Sequence, residues 1–176
     1  MIRPEFRTIL MDQRGAAVIL WSCFMISVVL YIVIARNVLG DPKYAAGLWF
    51  AENARIVLWF LAVVDLGYYV WWKRRYLTQG SILGGAKQAK LFRALEEHQG
   101  RIEERAASVV STYVTRKIVL FAILEALAVY GLVLAIVGRY LADQYLLSAL
   151  SLVLLALEFP SEKSLEQLIG KVEQTA

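Results

Sequence analysis

The chain has 176 residues, of which 59% are hydrophobic and 19% are charged, and its mean hydropathy is +0.56. So much apolar side-chain surface excludes a small water-soluble domain, because one core of that size cannot bury it and lipid must cover the rest. The net charge of +4 is unevenly distributed, since ten of the nineteen basic residues lie in the segment 73–117.

Four apolar stretches are long enough to cross the hydrocarbon layer of a bilayer, which takes about 20 helical residues. They lie near residues 16–38, 56–72, 118–138 and 143–159. We therefore predict an all-α integral membrane protein in which residues 1–176 form a single domain of four transmembrane helices. The short connection between the last two stretches predicts that the helices are arranged as two hairpins.

The first span follows "DQRG" and ends at "ARNVLGDP", where Gly40 and Pro42 favour a turn. Its apolar run is longer than that of a secretory signal and has no clear small-residue cleavage site, so we predict a membrane anchor. The chain's one cysteine, Cys23, lies within this span and cannot form an intrachain disulfide. We interpret it as a small apolar packing residue.

The second span ends in "GYYVWWKRR", where aromatic residues are followed directly by basic ones. This order is typical of the cytoplasmic boundary of a membrane helix. Because loops rich in lysine and arginine stay in the cytoplasm, the helical loop 73–117 and both termini are predicted to be cytoplasmic. We expect the protein in a membrane of the bacterial inner-membrane type.

The loop after the second span contains an apolar stripe whose members recur every three or four residues, which predicts an amphipathic helix that continues into the third span. The stripe consists of Leu91, Leu95, His98, Ile102, Ala106, Val109 and Tyr113.

Three interpretations of this amphipathic helix stay open: a solvated connector, a contact with a partner protein, and an association with anionic lipid headgroups. Glutamates interrupt its positive charge, so nucleic acid is not an expected partner. The candidate partner-binding residues are Leu91, Leu95, Ile102, Lys87, Lys90 and Arg93.

The tail, residues 160–176, follows the fourth span. Pro160 ends the preceding helix, and Ser161 can cap a short amphipathic C-terminal helix. We predict that this helix lies along the membrane surface or against the basic helix.

Two acids, Asp65 and Glu125, lie inside predicted spans, where ionisable residues are rare and usually functional. Each is seven residues, or about 10 Å, from the cytoplasmic boundary of its span, so we predict that they share one depth. The same count places Ser22 and Ser151 near that level. The hypothesis is a polar layer that either binds a proton or a cation or pairs the helices structurally, and both alternatives use the same residues.

The segment "EALAVYGLVLAI", which begins at Glu125, resembles the carboxylate-bearing helix of the proteolipid (c) subunits of rotary ATP synthases and V-type ATPases. The resemblance implies that Glu125 is the ion-carrying acid, with Tyr31 of "LYIVIA" in the place of Tyr130 in a degenerate first repeat. The chain departs from that family in having no glycine between Ala16 and Val38 and in carrying a long basic loop.

These features predict a non-catalytic integral membrane subunit or accessory protein that docks into a larger membrane complex through its helices and its basic cytoplasmic helix. The alternative is a proteolipid-like protein that translocates protons or cations with Glu125 and Asp65. The motifs HExxH, GxSxG, CxxC and the P-loop do not occur in the sequence, so we expect no enzyme, no cofactor and no metal. The expected partners are the lipid bilayer and other membrane subunits or further copies of the chain.

Overall fold

A computed structural model describes residues 4–40, 49–78, 80–82 and 101–161, with side chains from residue 14 onward in the first helix and from residue 108 onward in the third. Within these ranges the chain is helical and contains no strand, which confirms the predicted all-helical class. The helices are α1 (Pro4–Gly40), α2 (Ala51–Tyr76), α3 (Arg101–Gly138) and α4 (Leu141–Leu157).

Three of the four helices are long and apolar enough to cross a membrane, by length and composition: Arg14–Gly40, Ala51–Tyr76 and Ser108–Gly138. The fourth, predicted at 143–159, is shorter at 17 residues, or about 25 Å. The backbone N–H of Glu158 still bonds back to Leu154 and Leu155, but Pro160 lacks the N–H that a further helical turn requires, so the helix ends at Leu157.

Helix α3 is continuous over 38 residues. From Arg101 onward, the end of the predicted amphipathic segment and the third apolar stretch therefore belong to one helix. The rest of that segment, the predicted tail helix and several candidate partner-binding positions lie outside the described residues. They are Lys87, Lys90, Leu91, Arg93 and Leu95, the side chain of Ile102, and residues 162–176.

The chain divides into two compact units. Unit 1 comprises Met1–Leu20, Trp72–Val119 and Phe159–Ala176, and unit 2 comprises Trp21–Trp71 and Leu120–Glu158. In unit 1, Ile82, Val109 and Val110 are fully buried.

Contacts near the two ends of α2 and α4 show that these helices run in the same direction within unit 2. Arg55 pairs with Asp143 near their starts, and Tyr69 donates a hydrogen bond to Glu158 near their ends. Because the two contacts lie about 21 Å apart along each helix and occur in the same order, the helices are parallel.

Helices α1 and α3 also run in the same direction, opposite to α2 and α4. Ser27 of α1 contacts Glu125 of α3, and twelve residues further along α1 the carbonyl of Leu39 accepts a hydrogen bond from Arg139. In the opposite sense, Asp65 of α2 meets Tyr130, whereas Ala51, fourteen residues earlier on α2, lies beside Gly138, eight residues later on α3. Helices that follow one another in sequence are thus antiparallel in unit 2.

The apolar core of unit 2 centres on α3. Leu127 and Leu134 of α3 pack with Ala62 of α2 and Leu147 of α4, all four buried. A second cluster joins Ala35 and Leu39 of α1 to Ala135 of α3. Small residues at the α1 and α2 positions allow those helices to approach α3 closely.

The connection between α3 and α4 is very short and depends on one glycine. Arg139 has φ 59°, in the left-handed region. A Cβ on Gly138 would lie 2.2 Å from the ring of Tyr140, so only glycine fits there without rearrangement. This tight turn sets α4 directly beside α3.

Candidate functional site

The carboxylate of Glu125 accepts hydrogen bonds from two hydroxyls of α1. Oε1 of Glu125 lies 2.5 Å from Oγ of Ser27 and 2.8 Å from the hydroxyl of Tyr31. Ser27 and Tyr31 are four residues apart and therefore occupy one face of α1. One turn away the rings of Phe24 and Phe121 pack with centroids 5.9 Å apart, which fixes this face of α1 against α3.

The hydroxyl of Ser27 gives this site two possible hydrogen-bond arrangements. Its Oγ also lies 2.8 Å from the carbonyl oxygen of Phe24, yet a serine hydroxyl has a single hydrogen. The hydrogen of Ser27 can therefore point to the carbonyl oxygen of Phe24 or to Oε1 of Glu125.

The second membrane acid, Asp65, has its own partner. The hydroxyl of Tyr130 donates to Oδ2 of Asp65 at 2.7 Å, between α3 and α2. Tyr130 lies five residues after Glu125, which is about 7.5 Å along α3 and about 140° around it. Glu125 and the Tyr130 hydroxyl that contacts Asp65 therefore project from different sides of α3.

The four residues predicted to form one polar layer fall into separate groups. Ser151 donates to the carbonyl of Leu124, next to Glu125, at 2.7 Å, whereas Ser22 is half-buried and precedes Ser27 by five residues. Across the described ranges, no hydrogen bond joins the carboxyl groups of Asp65 and Glu125. The hydroxyls that reach Glu125, those of Ser27 and Tyr31, are not the ones that residue counting suggested.

An ion pair between α2 and α4 was missed by the sequence analysis. Nε and Nη2 of Arg55 lie 2.6 and 3.1 Å from the two carboxylate oxygens of Asp143, and the guanidinium lies 4.7 Å from the ring centroid of Tyr140. The paired residues are 88 positions apart, so sequence spacing could not reveal the contact. The side chain of Asp143 is almost buried, and the bidentate geometry orients α2 on α4.

A buried polar stripe on α4 was also missed, apart from its member Ser151. Glu158 accepts a hydrogen bond of 2.7 Å from Tyr69, and Gln144 donates to Ser148 at 3.0 Å. Every member of the stripe is buried. The sequence does contain a pattern that indicates the stripe, because its polar members recur at helical spacing: Gln144, Ser148, Ser151 and Glu158.

The chain matches no family model, no curated protein and no solved structure.

Proposed function

We propose that this protein is a non-catalytic integral membrane subunit that docks into a larger membrane assembly. Its four helices cross the bilayer as two hairpins, with the basic loop 73–117 and both termini in the cytoplasm, as the positive-inside rule favours. In this proposal α4 crosses although it is short, because its polar stripe is shielded by the other helices of unit 2.

The outward faces of α1 and α2 are the observation that carries this proposal. Large apolar side chains along both helices are exposed, and they include Ile26, Leu30, Val33, Ile56, Phe60 and Val63. An apolar surface that extends over residues 19–34 of α1 and 56–71 of α2 is unstable in water. Acyl chains or the helices of a partner subunit would cover it.

The interior of unit 2 supports a structural role for its polar residues. Hydrogen bonds between helices engage Glu125, Asp65 and Glu158, and Arg55 neutralises Asp143. Each such contact in lipid is commonly worth only about 0.6 kcal/mol. Together they specify which helices are neighbours and in which register, which suits a rigid docking scaffold.

The docking proposal is tested on the apolar stripe of the cytoplasmic segment. The triple variant Leu91→Asp, Leu95→Asp, Ile102→Asp is expected to insert in the membrane but to lose its co-purifying membrane subunits, because charges replace the apolar contact. The measurement is affinity purification in mild detergent followed by mass spectrometry.

The matched control is Ala86→Asp, Ala89→Asp, Gly100→Asp, which adds the same charge at positions that the 3.6-residue period puts opposite the stripe. It should keep its partners. Recovery of an unchanged set of subunits with the stripe variant would contradict the proposal.

A second function, binding of a proton or a cation by Glu125, is favoured by the two hydroxyls at its carboxylate and by the resemblance to rotary proteolipids. Glu125→Gln keeps an acceptor oxygen for Ser27 and Tyr31 but cannot exchange a proton. We expect the Glu125→Gln variant to fold and its labelling by a hydrophobic carbodiimide to fall at least tenfold. The Asp65→Asn variant should be labelled as strongly as the wild type. Equal labelling of the Gln variant and the wild type would refute an active acid at this position.

A further inference from the structure

The end of α2 carries a cluster of positive charge within unit 1. Lys73, Arg74 and Arg75 occupy the last turn of the helix, and all three are exposed. Helix C-termini carry partial negative charge, so cations in the last turn also stabilise α2 itself. Three adjacent cations are more than that purpose needs.

Arg116 of α3 holds a fourth cation at the same place. Its Nη1 donates to the carbonyl oxygen of Tyr76 at 2.7 Å and to Oγ of Ser81 at 3.0 Å. The guanidinium lies 5.6 Å from the ring centroid of Tyr76. Because Tyr76 directly follows Arg75, Arg116 adds its charge to the basic run and is fixed in position there.

Two aromatic rings beside this cluster are of the types common at the depth of lipid headgroups. The rings of Trp72 and Tyr76 pack with centroids 4.4 Å apart, and Nε1 of Trp72 donates to the carbonyl of Arg116 at 3.3 Å. Tryptophan and tyrosine at the end of an apolar helix are typical of the membrane–water boundary. If α2 crosses a bilayer with these rings at its boundary, the cations that follow them lie level with the lipid phosphates.

The distribution of charge along the chain also favours an anionic partner for this cluster. The segment 73–117 has ten basic and four acidic residues, whereas the rest of the chain has nine basic and eleven acidic residues. The positive net charge thus comes entirely from this segment. Anionic groups are attracted to this region and not to the remainder of the protein.

We propose that Lys73, Arg74 and Arg75, with Arg116 fixed beside them, bind the phosphodiester headgroups of anionic membrane lipids. Guanidinium groups match phosphate oxygens in pairs, and a lysine adds a mobile point charge. Lipid phosphates are favoured over a soluble phosphate because the membrane supplies them at this depth. The inference rests on the bilayer insertion proposed above.

The test measures which lipids stay bound to the full chain. Wild-type protein is equilibrated in detergent with equal amounts of phosphatidylglycerol and phosphatidylcholine, and the retained lipids are counted by native mass spectrometry. We expect phosphatidylglycerol to be enriched at least fivefold, since one basic side chain near an anionic surface is worth about that factor. Lys73→Gln, Arg74→Gln, Arg75→Gln should retain the two lipids equally.

Arg3→Gln, Arg7→Gln, Lys163→Gln removes the same charge outside the segment 73–117 and should keep the enrichment. An equal loss of phosphatidylglycerol enrichment in both variants would overturn a site at α2. Displacement of the lipid by millimolar inorganic phosphate would also overturn it, and so would capture of an acidic protein in place of lipid. Extraction of membranes with alkaline carbonate separates the two proposals. Protein released by carbonate contradicts insertion, whereas retained protein without lipid preference contradicts the headgroup site alone.

Discussion

Replacing Gly131 by leucine is expected to lower the free energy of unfolding by about 3 kcal/mol, because the new side chain has no space between α3 and α4. A Cβ at this position would lie 2.7 Å from Oε1 of Gln144 and 3.1 Å from its Cα. The side-chain oxygen can move, but the backbone atom moves only if α4 moves. Unfolding in mixed micelles with increasing mole fraction of dodecyl sulfate measures the change.

Gly67→Leu is the matched control, because a Cβ on Gly67 of α2 meets nothing within 4 Å. A leucine there should be neutral or should stabilise the helix by up to about 1 kcal/mol, the difference in helix propensity. The double variant Gly131→Leu, Gln144→Ala should recover only part of the loss, since the contact with Cα remains. Equal stability of the Gly131 and Gly67 variants would show that α3 and α4 are not closely packed.

This close contact explains why part of the fold was predictable and part was not. The apolar runs and the turn at Gly138 set the existence and order of the helices, because both are local properties of the chain. Gly131 lies in the same apolar run, but nothing local distinguishes it from Gly67. Only the neighbouring helix makes one glycine essential and the other replaceable.

The candidate site shows the same limit for polar residues. Sequence identified Glu125 and Asp65, because an acid in an apolar run is conspicuous. Their partners, Ser27 and Tyr130, are ordinary residues that become relevant only through helix rotation. Counting residues from the span ends gave a depth for each acid but no direction around the helix axis, and a five-residue offset on α3 already turns a side chain by about 140°.

The pair Asp65–Tyr130 offers the second large effect. Tyr130→Phe removes the hydroxyl 2.7 Å from Oδ2 and leaves a half-buried carboxylate without that donor. We expect a loss of about 2 kcal/mol, since an ionisable group that loses its hydrogen bond away from water costs more than a neutral one. Tyr145→Phe on α4, where the ring is exposed, should change stability by less than about 0.5 kcal/mol. Both are measured by the same unfolding assay.

The double variant Asp65→Leu, Tyr130→Phe decides what the pair is for. When both polar partners are replaced by apolar ones, the cost of an unsatisfied group disappears, so stability should return to within about 1 kcal/mol of the wild type. If this stable double variant also keeps its partner subunits, Asp65 serves to fix α2 against α3. Costs that simply add, with no recovery in the double variant, would contradict the pairing. If the double variant is stable but Glu125 is no longer labelled by the carbodiimide, Asp65 instead takes part in the ion-binding function.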